Sequence, residues 1–203
     1  PWYSNETAMT SVGGQERKQA ETLMKKLLFA WVRGSIGYTW YDLRDDGYDP
    51  KYGEHHFGLV SNDFYPKPVY SVYNMLATHY ASMTSAEDLS PDTDCFLFRF
   101  GDGKDLLLPA WCESSSGQTR HFLVETDAQA VSVIDLMGQE RPVEKRGARV
   151  VYAVGHSPCT LKLSGATAAR VVGELVHADS GREAVPGRAW TLPLALRNAE
   201  ARE

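Results

Sequence analysis

The chain has 203 residues, 43% of them hydrophobic and 23% charged, and a formal net charge of −5. This length is enough for one large or two small domains, and the composition is ordinary for a globular protein. Acidic and basic residues are interspersed, so the basic patch of a nucleic-acid-binding protein is absent from the sequence. No apolar run approaches the roughly 18 residues of a membrane helix. The chain opens on Pro1 rather than Met, which predicts that it begins inside a longer protein.

Alternating strand and helix patterns occupy the first part of the chain. Residues 1–6 are typical of a short strand, and residues 15–33 are predicted to form a helix that Gly34 ends in a left-handed conformation. Residues 35–41 are predicted to form the next strand. The helix prediction depends on one apolar stripe with i, i+3, i+4, i+7 spacing, formed by Ala20, Leu23, Met24, Leu27, Leu28 and Trp31.

A polar loop over residues 42–65 precedes a second predicted helix, which starts near residue 66 and ends near residue 80. Loops of this length inside compact domains are often functional. Its acidic residues have three open interpretations: hydroxyl recognition at a cleft rim, a Ca²⁺ site, or a solvated acidic loop. The acidic residues are Asp42, Asp45, Asp46, Asp49 and Glu54. Strand, helix, strand, loop and helix in this order predict a βα-repeat fold.

The pattern changes after Met83. Residues 85–94 are predicted to be a polar linker, and short alternating runs separated by turn signals follow it. Six such runs predict a small antiparallel β-sandwich. They cover residues 95–100, 105–112, 119–126, 130–136, 149–154 and 159–163. Two further strand-like runs, 169–176 and 190–197, either complete the sandwich or begin another domain.

Three cysteines, Cys95, Cys112 and Cys159, are spread over the second half. Their spacing is not that of a zinc site, which needs four ligands. The favoured interpretation is that they are small buried hydrophobic residues, and one disulfide between two of them is the open alternative.

Glu6 is the sharpest candidate for chemistry because it ends a short apolar strand immediately before a loop. At that end of a strand in a βα barrel, a carboxylate can attack an anomeric carbon. On position alone, a surface residue leaving an edge strand is the favoured explanation.

Three segments in order resemble the clan of retaining glycoside hydrolases with a (β/α)8 barrel, whose families include 5, 39 and 42. Residues 2–11, WYSNETAMTS, resemble the strand-seven nucleophile segment, and residues 37–43, GYTWYDL, are similar to the eighth strand. Residues 54–60 and 64–70 are similar to the "FGL…KPAY" run before the last barrel helix. The resemblance covers residues 1–80 and departs from the clan at Asn5–Ala8, where many members have Thr-Glu-Xaa-Gly.

The resemblance implies a mixed fold, α/β plus all-β. Residues 1–84 would be the last two βα units of an incomplete TIM barrel, residues 85–168 a β-sandwich accessory domain, and residues 169–203 further strands or a truncated domain. Glu6 would be the catalytic nucleophile of a double-displacement reaction on O-glycosidic bonds. A sugar-binding role is implied for Trp40, the aromatic residue on the eighth strand, and a core aromatic residue inside the barrel is the open alternative. Other side chains nearby are candidates for substrate contact. The substrate-binding candidates are Trp40, Tyr38, Asp42, Asp45 and His55.

The second carboxyl group of such an enzyme, the acid/base, resides on strand four in this clan, and the chain contains no such strand. We therefore expect the isolated chain to be inactive, although its parent is a glycosidase. The expected partners are a poly- or oligosaccharide and either the missing barrel portion or a second copy of the chain. No cofactor, metal, nucleic acid or membrane is expected, and a secreted or cell-surface location is favoured by the resemblance. The alternative is a non-catalytic carbohydrate-binding or structural β-sandwich with a degenerate barrel remnant.

Overall fold

A computed structural model of the chain describes residues 1–113, 117–177 and 194–198. Its first two strands, β1 (Trp2–Thr7) and β2 (Ser35–Trp40), pair in parallel, and the helix α1 (Glu16–Val32) connects them. A loop containing a 3₁₀ turn (Gly53–His56) leads from β2 to the helix α2 (Pro68–Tyr80), which packs beside α1. The helix connection places the carboxyl ends of both parallel strands at the same edge.

The bounds of α1 follow from local chemistry. Its apolar stripe faces the core, with Leu23, Met24 and Leu28 fully inaccessible to solvent and Leu27 and Trp31 partly buried. The negative charge of Glu16 in the first turn interacts favourably with the positive end of the helix dipole. Gly34 has a φ of 85°, and its N–H donates to the carbonyl of Trp31 at 2.9 Å. The predicted left-handed glycine at the end of this helix is therefore confirmed.

The remaining strands form two antiparallel sheets. The first contains six strands in the order β3-β4-β5-β10-β7-β8, and the second contains four in the order β12-β11-β6-β9. The strands are β3 (Ser85–Asp88), β4 (Cys95–Gly101), β5 (Leu106–Cys112), β6 (Arg120–Thr126), β7 (Ala130–Ile134), β8 (Glu140–Pro142), β9 (Arg149–Val154), β10 (Cys159–Ser164), β11 (Ala169–His177) and β12 (Leu194–Asn198).

The six-stranded sheet is covered on both faces, which explains why all seven residues of β5 are buried. Leu107 and Trp111 point into a core shared with α1 and α2, whereas Leu108 and Ala110 point into a core shared with β6 and β9. Alternation of side chains along a strand produces this division. The helices and the four-stranded sheet therefore pack against opposite faces of one central sheet.

Two expectations from the sequence need correction, and one strand was missed. The polar linker prediction is wrong at Ser85–Asp88, which pairs with β4 as an edge strand because an exposed edge accepts polar side chains. The short strand Glu140–Pro142 was not predicted. Cys95 and Cys112 form a disulfide between directly paired positions of β4 and β5, and Cys159 is free, so the interpretation of all three as unbridged residues is wrong.

The mixed α/β content predicted from the sequence is confirmed. The strand-like run 190–197 falls partly outside the described residues, and its described part lies in β12. Within the described part of the chain, no helix has the length and apolar character needed to cross a membrane.

Candidate active site

Glu6 lies near the carboxyl end of β1 with its side chain exposed to solvent. Its backbone has a φ of 58°, and the pairing of β1 with β2 is irregular between Ser4 and Thr7. Left-handed backbone at a non-glycine residue is uncommon, and a bulge re-aims a side chain relative to its strand. Because of this irregularity, the side chain of Glu6 does not follow the regular alternation of side chains along β1.

Trp40 lies opposite Thr7, the residue that follows Glu6, in the sheet. The N–H of the residue after Trp40, Tyr41, donates to the carbonyl of Thr7 at 2.8 Å. The indole of Trp40 is only 9% exposed, belongs to the core formed by α1 and α2, and donates through Nε1 to the carbonyl of Phe57 at 3.2 Å. Most of the indole surface is therefore in contact with protein.

The face of β2 that carries Trp40 is the face that meets the helices. Tyr38 lies on the same face, packs against the same core, and burial raises its pKa. Tyr41, the next residue, packs edge-on against Phe57 and donates its hydroxyl to Asp46 at 2.9 Å. Trp40, rather than Tyr41, therefore faces the helices.

Asp45 organises the loop between β2 and α2. It is 6% exposed, and its Oδ1 accepts from Lys67 Nζ at 2.8 Å and from the N–H of Gly58 at 2.7 Å. The backbone of Asp45 also bonds to the loop: its N–H donates to the carbonyl of Val60, and its carbonyl accepts from Asn62. A buried carboxylate needs such partners, so this set stabilises the loop conformation. Lys67 was not singled out from the sequence, because its partner is 22 residues away.

His55 is half-buried and serves the same loop. Its Nδ1 accepts from the N–H of Asp49 at 3.1 Å, and its ring packs edge-on against Tyr52. In the described part of the chain, no group of three or more His, Cys, Asp or Glu side chains is arranged to hold a metal ion. The acidic loop therefore offers no such group among these residues.

Asp42 follows β2 directly and has one buried carboxylate oxygen, Oδ1, that lacks a hydrogen-bond partner in the described region. Burial raises the pKa of Asp42 to about 6, and the nearby carboxylates of Asp46 and Asp45 contribute in the same direction, whereas Lys67 opposes them. The carboxyl group is therefore partly protonated near neutral pH, and it lines an open cavity of about 430 Å³ together with Arg44 and Asn62, among others.

Replacing Asp42 by asparagine should raise stability at pH 8 by roughly 1 kcal/mol and leave it unchanged near pH 3. Because the folded protein holds this proton more tightly than the unfolded chain, the wild type loses stability as pH rises through about 6. Urea denaturation of both proteins at pH 3, 5 and 8 measures the difference, with Asp63→Asn as an exposed control. A gain of equal size at every pH would contradict the raised pKa.

Comparison with solved structures gives the class of protein that this fold resembles. The chain is similar in structure to glycoside hydrolases. The sequence resemblance to the glycoside hydrolase clan with a (β/α)8 barrel is therefore confirmed. No protein-family model matches the chain, and no curated protein sequence matches it.

The individual structures differ in what they show. A family 39 glycoside hydrolase from the gut symbiont Bacteroides cellulosilyticus WH2 is 30% identical, with a TM-score of 0.69, over 80% of this chain and 33% of that chain. A family 30 endoxylanase from Clostridium papyrosolvens C71 (9% identity, TM-score 0.57, 80% and 41% covered) supports the fold alone. So does a family 30 subfamily 8 xylanase from Clostridium acetobutylicum (11%, 0.57, 80% and 42%). The chain thus spans about a third of the family 39 enzyme.

Proposed function

We propose that this chain is the C-terminal part of a retaining glycoside hydrolase and that Glu6 is its catalytic nucleophile. In this proposal β1, α1, β2 and α2 are the last two βα units of a (β/α)8 barrel, and the two antiparallel sheets form an accessory β-sandwich. The observation that carries the proposal is an exposed carboxylate at the carboxyl end of the first strand of a parallel βαβ unit, in a chain 30% identical to a family 39 enzyme.

The reaction proceeds by two displacements. The Glu6 carboxylate attacks the anomeric carbon and forms a covalent glycosyl ester, while a carboxylic acid about 5–5.5 Å away protonates the departing oxygen. The same second group then removes a proton from the water that hydrolyses the ester. We assign this second carboxyl group to a part of the parent enzyme outside this chain.

Substrate contact is assigned to the side chains around the carboxyl ends of β1 and β2: Trp40, Tyr38, Asp42, Asp45 and His55. Because Trp40 and Asp45 are buried, we assign them an indirect contribution to substrate binding. Both side chains stabilise the loop after β2 and its packing against the helices. Asp42 is the best placed of the five for a direct hydrogen bond to a sugar hydroxyl, because it lines an open cavity.

The assignment as part of a larger barrel has its own support. Among the described residues, β1 and β2 pair only with each other, so each strand has one edge without a neighbour. Ile36 on β2 is 75% exposed, and Trp2 and Tyr3 on β1 are about half exposed. Closed barrels cover strand edges, and further βα units would bury this apolar surface.

A mechanism-based label tests the proposal. A panel of aryl 2-deoxy-2-fluoro glycosides should label the complete enzyme at Glu6, because fluorine slows hydrolysis of the glycosyl ester, and peptide mass spectrometry locates the adduct. The chain of residues 1–203 alone should not turn over aryl glycosides, since it lacks the acid/base. A label on a different carboxylate, or clear turnover by the isolated chain, would contradict the assignment; absence of both label and turnover in the complete enzyme would favour a non-catalytic scaffold.

A further inference from the structure

We propose that Gln19 is a positioning residue that joins the loop after β1 to the loop after β2. It thereby fixes the position of Glu6 relative to Trp40. The catalytic consequence rests on the proposed function, whereas the mechanical link between the two loops does not. Neither the sequence patterns nor the resemblance singled out Gln19.

The buried side chain of Gln19 donates hydrogen bonds to three backbone carbonyls. It lies in the first turns of α1 and is completely inaccessible to solvent. Its Nε2 donates to the carbonyls of Met9 at 2.9 Å, Phe57 at 3.0 Å and His56 at 3.2 Å. The amide has two hydrogens, so the three acceptors share them. Met9 follows β1 by two residues, and the other two carbonyls belong to the loop after β2.

The carbonyl of His56 accepts hydrogen bonds from four donor groups. Besides Gln19, it accepts from the N–H of Ser11 at 3.0 Å, from the Ser11 hydroxyl at 3.2 Å and from Lys67 Nζ at 3.2 Å. Lys67 is at the same time paired with Asp45 at 2.8 Å, and both side chains are at least 90% buried. One peptide of the second loop is therefore tied to the first loop, to α1 and to the start of α2.

Short connections join the hydrogen bonds of Gln19 to Glu6 and to Trp40. Met9 is three residues from Glu6, and the carbonyl of Phe57 that accepts from Gln19 also accepts from the indole N–H of Trp40. The Oε1 of Gln19 has no hydrogen-bond partner in the described region, so the three carbonyls determine the orientation of the amide. Removing the amide leaves buried carbonyls with fewer donors, which favours local opening of both loops.

The test replaces Gln19 by leucine, a side chain of similar length without donors, in the complete enzyme. Amide hydrogen exchange should become roughly tenfold faster in residues 8–12 and 53–60, while β5 and β10 are unchanged. We expect kcat to fall by about 10²-fold and KM to change by only a few-fold, because misplacement of the reacting groups by about 1 Å has an effect of that size. Gln129→Leu, the same change on an exposed side chain outside both loops, should alter neither measurement.

Several outcomes separate the possibilities. Unchanged exchange in both loops, or faster exchange spread evenly over all elements, would overturn the proposal. Faster exchange confined to the loops with unchanged kcat would overturn the positioning role. If Gln19→Leu does not fold, Ser11→Ala removes a single hydroxyl donor from the same carbonyl and should accelerate exchange in the same segments, with an unchanged pattern counting against the link. A complete enzyme without turnover but with the loop-confined effect would contradict the proposed function and support the link.

Discussion

Replacing Glu6 by alanine in the complete enzyme should lower kcat/KM by about 10³-fold or more, because the variant has no group to form the glycosyl ester. Added azide should restore part of the turnover. The small anion fits the space left by the carboxylate and attacks the anomeric carbon once, so the product is a glycosyl azide whose anomeric configuration is opposite to that of the substrate. The configuration is read by nuclear magnetic resonance.

The matched control for this experiment is Glu144→Ala. Glu144 is 73% exposed and, within the described part of the chain, pairs with Arg146, which is 84% exposed, so its removal should leave activity within twofold. If Glu6→Ala keeps activity within a few-fold of the wild type, Glu6 is not the nucleophile. Lost activity without azide rescue, together with loss of cooperative unfolding, would indicate a structural role for this position.

Replacing Trp40 by alanine should lower the free energy of unfolding by about 3–5 kcal/mol, measured by urea denaturation. The indole is buried against α1 and α2, and its N–H satisfies the carbonyl of Phe57, so alanine leaves both a cavity and a carbonyl with one donor fewer. Trp40→Phe should recover most of the stability because it keeps the apolar volume.

In the chain of residues 1–203 alone, Trp2→Ala is the control for Trp40. Trp2 is 45% exposed there and also donates through its indole, to the carbonyl of Arg33 at 3.0 Å. We expect a loss of about 1 kcal/mol for this variant. A loss at position 40 no larger than at position 2 would contradict the assignment of Trp40 to the core. A direct sugar-binding role would instead raise KM in Trp40→Phe while stability stays near that of the wild type.

Elements with strong periodicity could be predicted from the sequence. The stripe from Ala20 to Trp31 indicated α1, and Gly34 marked its end, because helix periodicity and left-handed glycine depend on neighbouring residues only. Most strands of the two sheets were predicted to within two residues for the same reason. Ser85–Asp88 was missed because its pairing with β4, and not its own polar composition, makes it a strand.

Contacts between residues far apart in the chain could not be predicted from local sequence patterns. Cys95 and Cys112 are joined because β4 and β5 align them across a hairpin, and their register is a property of the sheet. Gln19 is an ordinary polar residue in the sequence of a helix, yet it is completely buried against carbonyls 10, 37 and 38 residues away. The candidate site thus depends on side chains whose importance arises only from where the loops meet.

The amino-acid sequence by itself determined the helices, most strands, and the position of a carboxylate at the end of the first strand, since local propensity and side-chain alternation are encoded within a few residues. Only the tertiary structure decided that one central sheet is covered on both faces, that Trp40 faces the helices, and that Gln19, Lys67 and Asp45 hold the loops together. Burial and hydrogen-bond satisfaction depend on segments that are far apart in the chain, and no short window of sequence contains both partners.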